Sequence, residues 1–255
     1  MKVFTILYFA FFCQISFSQS KSTNAQVEYQ LFNDTEIPVT INATLYINNN
    51  ISIYKLKRST VKRWEERPTK VEGVDVTNPK DITEPYLKTD FYKKELLFFD
   101  DIMGKYFLVK DTYTNFKWNI SDETKTIAGI LCTKATVLYR GREWAAWFAP
   151  DIPLPFGPWK LHGLPGLIVE VHDATNKFTM RAIKIEYTRS DLFDKDFKTL
   201  IQTINTEPIT MQQFLKDADE AINNGISKRN SENSGGTITR IPIPRSGEEL
   251  IYEWE

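Results

Sequence analysis

The chain has little cysteine and little histidine, two of each in 255 residues. Cys13 falls within an apolar start, so a chain that loses its start keeps Cys132 alone. No intramolecular disulfide can then form, and the fold must be held by its core. The cysteines and histidines show neither Cys-x-x-Cys nor His-x-x-x-His spacing, which removes the common zinc signatures. A Gly-x-Ser-x-Gly elbow, a Walker loop, a dinucleotide fingerprint and an Asp-x-Asp-x-Asp-Gly calcium loop are absent too. No cofactor and no metal follow from any motif. An excess of charge is also missing: 32 basic and 33 acidic residues leave a net −1, with no long block of one sign. That balance offers nothing to track a phosphate backbone and argues against nucleic acid as a partner. It also lacks a polybasic helix for a membrane surface.

A long hydrophobic run is absent beyond the first residues. Residues 1–18 have the layout of a secretory signal: Lys2, an apolar stretch from Val3 to Phe12, and Ser16-Phe17-Ser18 at a cleavage site. A spanning helix needs about 20 apolar residues. Gln14 and the serines break this run, and no later segment comes closer. Phe11-Phe12 are too bulky for lipoprotein processing at Cys13. The expectation is an exported protein of the periplasm or cell envelope, with no transmembrane span once the signal is removed. Residues 19–255 read as a single domain, long enough to bury about 70% of the extended chain's surface.

What is present is strand patterning. Ala25 to Phe32 alternates. Thr40 to Ile47 and Ile51 to Lys57 flank the turn Asn48-Asn49-Asn50, where asparagine tolerates left-handed backbone angles. Residues 58–83 are charged, lack periodicity and read as a long connection. Strands are expected again at Glu95 to Ile102, Lys105 to Lys110 and Phe116 to Ser121. A polar turn at Asp122 to Lys125 and a long strand from Thr126 to Tyr139 follow. Gly141 closes a hairpin into Glu143 to Ala149, and Leu167 to His172 turns around Asp173 to Asn176 into Phe178 to Tyr187. Short connections between strands predict an antiparallel meander. One helix is signalled from Met211, capped by Thr210 with Gln213 at the third position, and ending near Asn223-Asn224-Gly225. Ser231 to Gly236 reads as a linker and Thr237 to Ile243 as an edge strand. The fold expected is mainly β (α+β): a strongly curved antiparallel sheet or open half-barrel with the C-terminal helix packed on it. An apolar cavity between sheet and helix is available to that architecture.

Four of the six tryptophans, Cys132 and both histidines fall between Trp118 and His172. The runs Cys132 to Ala135, Tyr139 to Trp144, Trp147 to Pro153 and Gly157 to Ile168 end on Gly163-Leu164-Pro165-Gly166-Leu167-Ile168. Together they closely resemble the GLPGLI family of exported Gram-negative envelope proteins. The match covers roughly the central quarter of the chain. The resemblance implies an envelope protein and carries no reaction, cofactor or functional residue with it.

Five of the 12 prolines lie between Ala149 and Gly166, which stiffens that passage. One reading makes it a rigid rim. Arg142, Asp151, Trp159, Lys160 and His162 would then project as a polar and aromatic edge for a hydrophobic or peptide ligand, or for an outer-membrane protein partner. The other reading has the loop merely close a corner, with Asp151 paired to Arg142. Cys132 and His172, on faces that could meet, supply the alternative of a periplasmic hydrolase or metal-binding protein. A free cysteine is more often a small core residue. The leading expectation is a non-enzymatic binding protein.

Overall fold

The computed structural model describes residues 24–34, 38–57, 85–102, 105–188, 207–232, 237–240 and 245–255. The apolar start and the connection at 58–83 lie outside these residues. Twelve strands form one sheet: β1 (Asn24–Asn33), β2 (Val39–Asn48), β3 (Ile51–Lys57), β4 (Tyr86–Asp90), β5 (Glu95–Ile102), β6 (Lys105–Asp111), β7 (Asn119–Ile127), β8 (Ile130–Tyr139), β9 (Arg142–Ala149), β10 (Leu167–Asp173), β11 (Phe178–Thr188) and β12 (Ile209–Thr210). Among the described residues one helix, α1 (Met211–Glu232), follows.

The spatial order β12-β6-β5-β4-β3-β2-β1-β11-β10-β9-β8-β7 shows two antiparallel meanders fused where β1 pairs with β11. The sheet is curved and unclosed, with β7 and the two-residue β12 at its margins. Period-two burial explains its inner face. Val27, Leu45, Tyr54, Leu87, Phe98 and Val109 lie in one row from β1 to β6, and Leu31, Met180, Val171, Ala146 and Ala135 form a row from β1 to β8. Every one of these is buried or packed against a buried cluster. Two register shifts, at Glu28/Tyr29 against β11 and at Ile168/Glu170 against β9, each leave one residue without a partner. Such bulges bend and twist a sheet.

Helix α1 begins as its sequence predicts, with the Gln213 amide donating to Thr210 Oγ1 at 3.2 Å. The Gln213 side chain turns forward to Asp217 instead of back to the cap, so half of the capping box forms. Phe214 meets Phe98 and Phe107 edge-on, with ring centroids 5.2 and 5.3 Å apart. Those contacts seat the helix on β5 and β6.

Three expectations are corrected, and one strand lies where none was expected. Residues 86–90, too short for a convincing alternation, form β4 between β3 and β5. The turn expected at 122–125 is part of β7; the hairpin turns at Ala128-Gly129, both at positive φ. The polar run there belongs to a solvated margin strand, whose charges and register shift suit an edge. Helix α1 runs through Asn223-Asn224-Gly225 to Glu232, because one half-exposed glycine costs only about 1 kcal/mol. Residues 237–240 are not a strand. The Asn230 side chain takes both the N–H and the C=O of Ile238, so the backbone groups that would have paired in a ladder are occupied.

Candidate functional site

The passage from Pro150 to Gly166 does not stand up as a rim. It folds back onto the inner face and becomes part of the core. Leu154, Phe156, Leu161 and Leu164 are almost wholly buried. The Gly163 amide donates to the Pro155 carbonyl at 2.9 Å, and Ile168 N to Phe156 O at 3.0 Å. Phe91 stacks on Phe156 with centroids 4.5 Å apart. The glycines permit the fit. A Cβ on Gly166 would lie 2.2 Å from Ala149 O, and one on Gly157 would lie 2.6 Å from Ile168 Cδ1. Gly163 has open space but sits at φ +89°. The Tyr29 hydroxyl donates to Ile168 O at 2.7 Å, tying the motif to β1. The Gly163 to Ile168 segment is thus a folding element.

The five residues expected on the rim have separate fates. Asp151 is exposed. Arg142 is buried and pairs with Asp173 at 3.0 Å, not with Asp151. His162 is buried within an aromatic box of Phe91, Tyr113 and Phe116. Its Nδ1 lies 2.8 Å from Lys160 O. Burial outweighs the pull of the Lys160 and Thr114 backbone and holds its pKa down to about 4. Trp159, at positive φ, turns inward against Trp144 and Tyr139. Lys160 points into a buried ionic cluster. A loop this rich in proline and leucine reads equally as exposed rigidity or as a buried plug; its four leucine and phenylalanine side chains favour the plug.

That cluster joins three parts of the chain. Lys160 Nζ lies 2.6 Å from Asp111 Oδ2 and 2.7 Å from Glu249 Oε1. Arg140 forks onto Asp111 at 2.7 and 2.9 Å and also bonds Glu249 and Glu253. Burial alone would raise the Asp111 pKa, but hydrogen bonds and charge from Arg140 and Lys160 outweigh it and hold it below the usual carboxylate value. The Arg140 carbonyl accepts from Leu250 N and Ile251 N, and Arg142 donates to Gly247 O and Ser246 O. Residues 245–255 are thereby strapped against the β8–β9 hairpin. The arginines of Arg140-Gly141-Arg142, which read as an ordinary turn, are the anchor.

Between sheet, helix, plug and strap lies a cavity of about 400 Å³. Leu31, Tyr54, Leu87, Phe98 and Met180 supply the sheet wall, and Met211, Phe214 and Leu215 the helix wall. Trp159 and Lys160 come from the plug, and Glu248, Glu249 and Tyr252 from the strap. The Tyr54 hydroxyl is buried without a hydrogen-bond partner. Of the expected rim set only Trp159 and Lys160 reach this space. The strap acids were missed because a charged segment gives no periodic signal, and the burial of the two hairpin arginines that hold it shows only in the structure.

Cys132 and His172 are not brought together. They share the outer face, but His172 aligns with Ala145 and Thr136, two strands away and four residues along from Cys132. Strand geometry puts them roughly 16 Å apart. The thiol is fully buried; burial, against Lys125 and with Glu170, pushes its pKa up. No cluster of three or more metal-ligating side chains occurs among the described residues. On this face Glu170 instead binds Lys125 at 2.6 Å, and Lys125 Nζ sits 4.2 Å from the Trp147 ring centre. No helix among the described residues is long and apolar enough to cross a membrane.

No family model and no curated protein matches the chain. Solved structures do. PNGF-II in a C2 crystal form matches at 12% identity and TM-score 0.54, over 78% of this chain and 33% of that one. PNGF-II in a P21 form matches at 13% identity and TM-score 0.53, over 78% and 34%. The chain spans about a third of the length of PNGF-II, and at such identity the likeness shows fold alone. The LolA superfamily protein NE2245 from Nitrosomonas europaea matches at 8% identity and TM-score 0.30, over 69% of this chain and 92% of that one.

Proposed function

We propose that this chain is an exported, non-enzymatic envelope protein of the GLPGLI type that holds a hydrophobic ligand in the cavity between its sheet and its helix. The cavity carries the reading. Its volume of about 400 Å³ falls within the range of roughly 300–1,000 Å³ typical of small-molecule sites. Its walls are mostly apolar and aromatic, with a few charged groups, and are drawn from four separate parts of the chain. The secretory layout of residues 1–18 and the run from Cys132 to Ile168 support the envelope assignment.

Two measurements test it. Native mass spectrometry of protein purified from its own cell envelope, without refolding, should show mass beyond the polypeptide that organic solvent releases. The uncharged fluorophore N-phenyl-1-naphthylamine should brighten with wild-type protein, and Leu215→Trp, which fills the helix wall, should weaken its uptake about tenfold. A bare polypeptide mass together with no fluorophore uptake would overturn the reading.

A further inference from the structure

Resting on that reading, we infer that the ligand is an amphiphile with a single cationic amine head, bound between Glu248 and Tyr54 with its apolar tail along the sheet and helix walls. The lining bears three carboxyl groups, Asp100, Glu248 and Glu249, against one ammonium, that of Lys160. Lys160 is already engaged, with Asp111 on one side and Glu249 on the other. It has no charge to offer an anion. Glu248 is partly buried and, among the described residues, has no ion-pair partner; its own backbone amide is its hydrogen-bond contact. Arg142 and Lys160 act on it only at a distance. Burial and the Glu249 charge leave its carboxyl with a raised pKa, as expected of a group lacking a counterion.

Tyr54 supplies the second, independent sign of a ligand. Its side chain is 5% exposed and lines the cavity, and its hydroxyl has no partner. A buried polar atom left unpaired costs about 1–3 kcal/mol, and Glu248 is close enough to shift its pKa. An ammonium placed between them donates one N–H to the Glu248 carboxylate and another to the Tyr54 oxygen. Both deficits are then met by one small head group. A carboxylate or phosphate head would instead set a second negative charge beside Glu248, which has no counterion among the described residues.

Calorimetric titration of the folded chain with decylamine, decanol and decanoate, each below its micelle concentration, tests the assignment. The same tail with three heads separates the head's contribution from the cavity's. Decylamine should bind at least about tenfold more tightly than decanol, with decanoate weakest. Glu248→Gln should bring decylamine down to the decanol affinity and leave decanol unchanged. Tyr54→Phe should weaken decylamine several-fold, with unaltered circular dichroism. Equal affinity for amine and alcohol, or an amine affinity indifferent to Glu248→Gln, overturns the head-group assignment while the cavity reading stands. No binding of any of the three, and no uptake of the uncharged fluorophore, overturns both.

Discussion

The two glycines of the Gly163-Leu164-Pro165-Gly166 turn differ in what a methyl group would do. At Gly166 the added carbon would meet the Ala149 carbonyl at 2.2 Å, and backbone cannot step aside. Gly166→Ala should therefore cost more than about 3 kcal/mol, as overpacking against rigid atoms does. Gly163→Ala meets open space and bears only the positive-φ penalty, about 1–2 kcal/mol. Urea unfolding of the two variants checks the ranking, and equal losses would show that the plug yields. His162 makes a second prediction. Its pKa is about 4 in the fold against 6.5 in the open chain, so the unfolded state binds more protons between those values. Its contribution is complete above pH 6.5 and falls as pH drops toward 4, by about 3 kcal/mol in all. His162→Gln should remove most of that slope; an unchanged stability profile from pH 7 to 4 would contradict the burial of a neutral imidazole. At this scale the sequence was legible in type and not in direction. Proline and glycine marked the rigid loop, but whether Trp159, Lys160 and His162 face water or core depends on partners far along the chain, such as Asp111 and Trp144.

Among the elements, the β7–β8 hairpin carries an unsuited residue. Ala128 takes φ 51° and Gly129 φ 83°, the pair of positive angles that a two-residue turn favours with asparagine first. Ala128→Asn should raise stability by about 0.5–1 kcal/mol, read as a higher urea midpoint with unchanged slope. A lower midpoint would mean that the turn is held by its strands alone. The same residue explains why the hairpin was misplaced: the polar stretch Ser121 to Lys125 looked more like a turn than Ala128 did. Buried strands were legible from period-two alternation, and β5 was bounded correctly at both ends. Short β4 and polar β7 were not, since neither has enough inward-facing apolar residues to reveal a face. The start of α1 was legible in Thr210; its end was not, because Arg240 pairs with Asp219 and Asn223 from beyond the helix, and such support leaves no local trace.

For the molecule as a whole, the buried cluster around Asp111 decides whether the cavity has a fourth wall. Arg140→Met leaves Asp111, whose side chain is wholly buried, with one cation instead of two. The loss should be about 3–5 kcal/mol, with residues 245–255 released to limited proteolysis and fluorophore binding weakened. Protection of the strap from protease in that variant would assign its seat to Arg142 and Tyr252 instead. The curved sheet with one helix was legible from pattern alone, whereas the cavity's acids and its anchor were visible only in three dimensions. The fusion of the two meanders has a kinetic consequence. Most neighbouring strands of the sheet pair across short turns, but residues 24–33 must wait for residues 178–188. Loop closure over that span is slow and is completed only after its far end is made. Until then β1 presents an open edge and the two halves can form separately without locking, so the chain carries a built-in interval between synthesis and commitment in which it can still be threaded, bound by a chaperone, or lost to edge-to-edge aggregation.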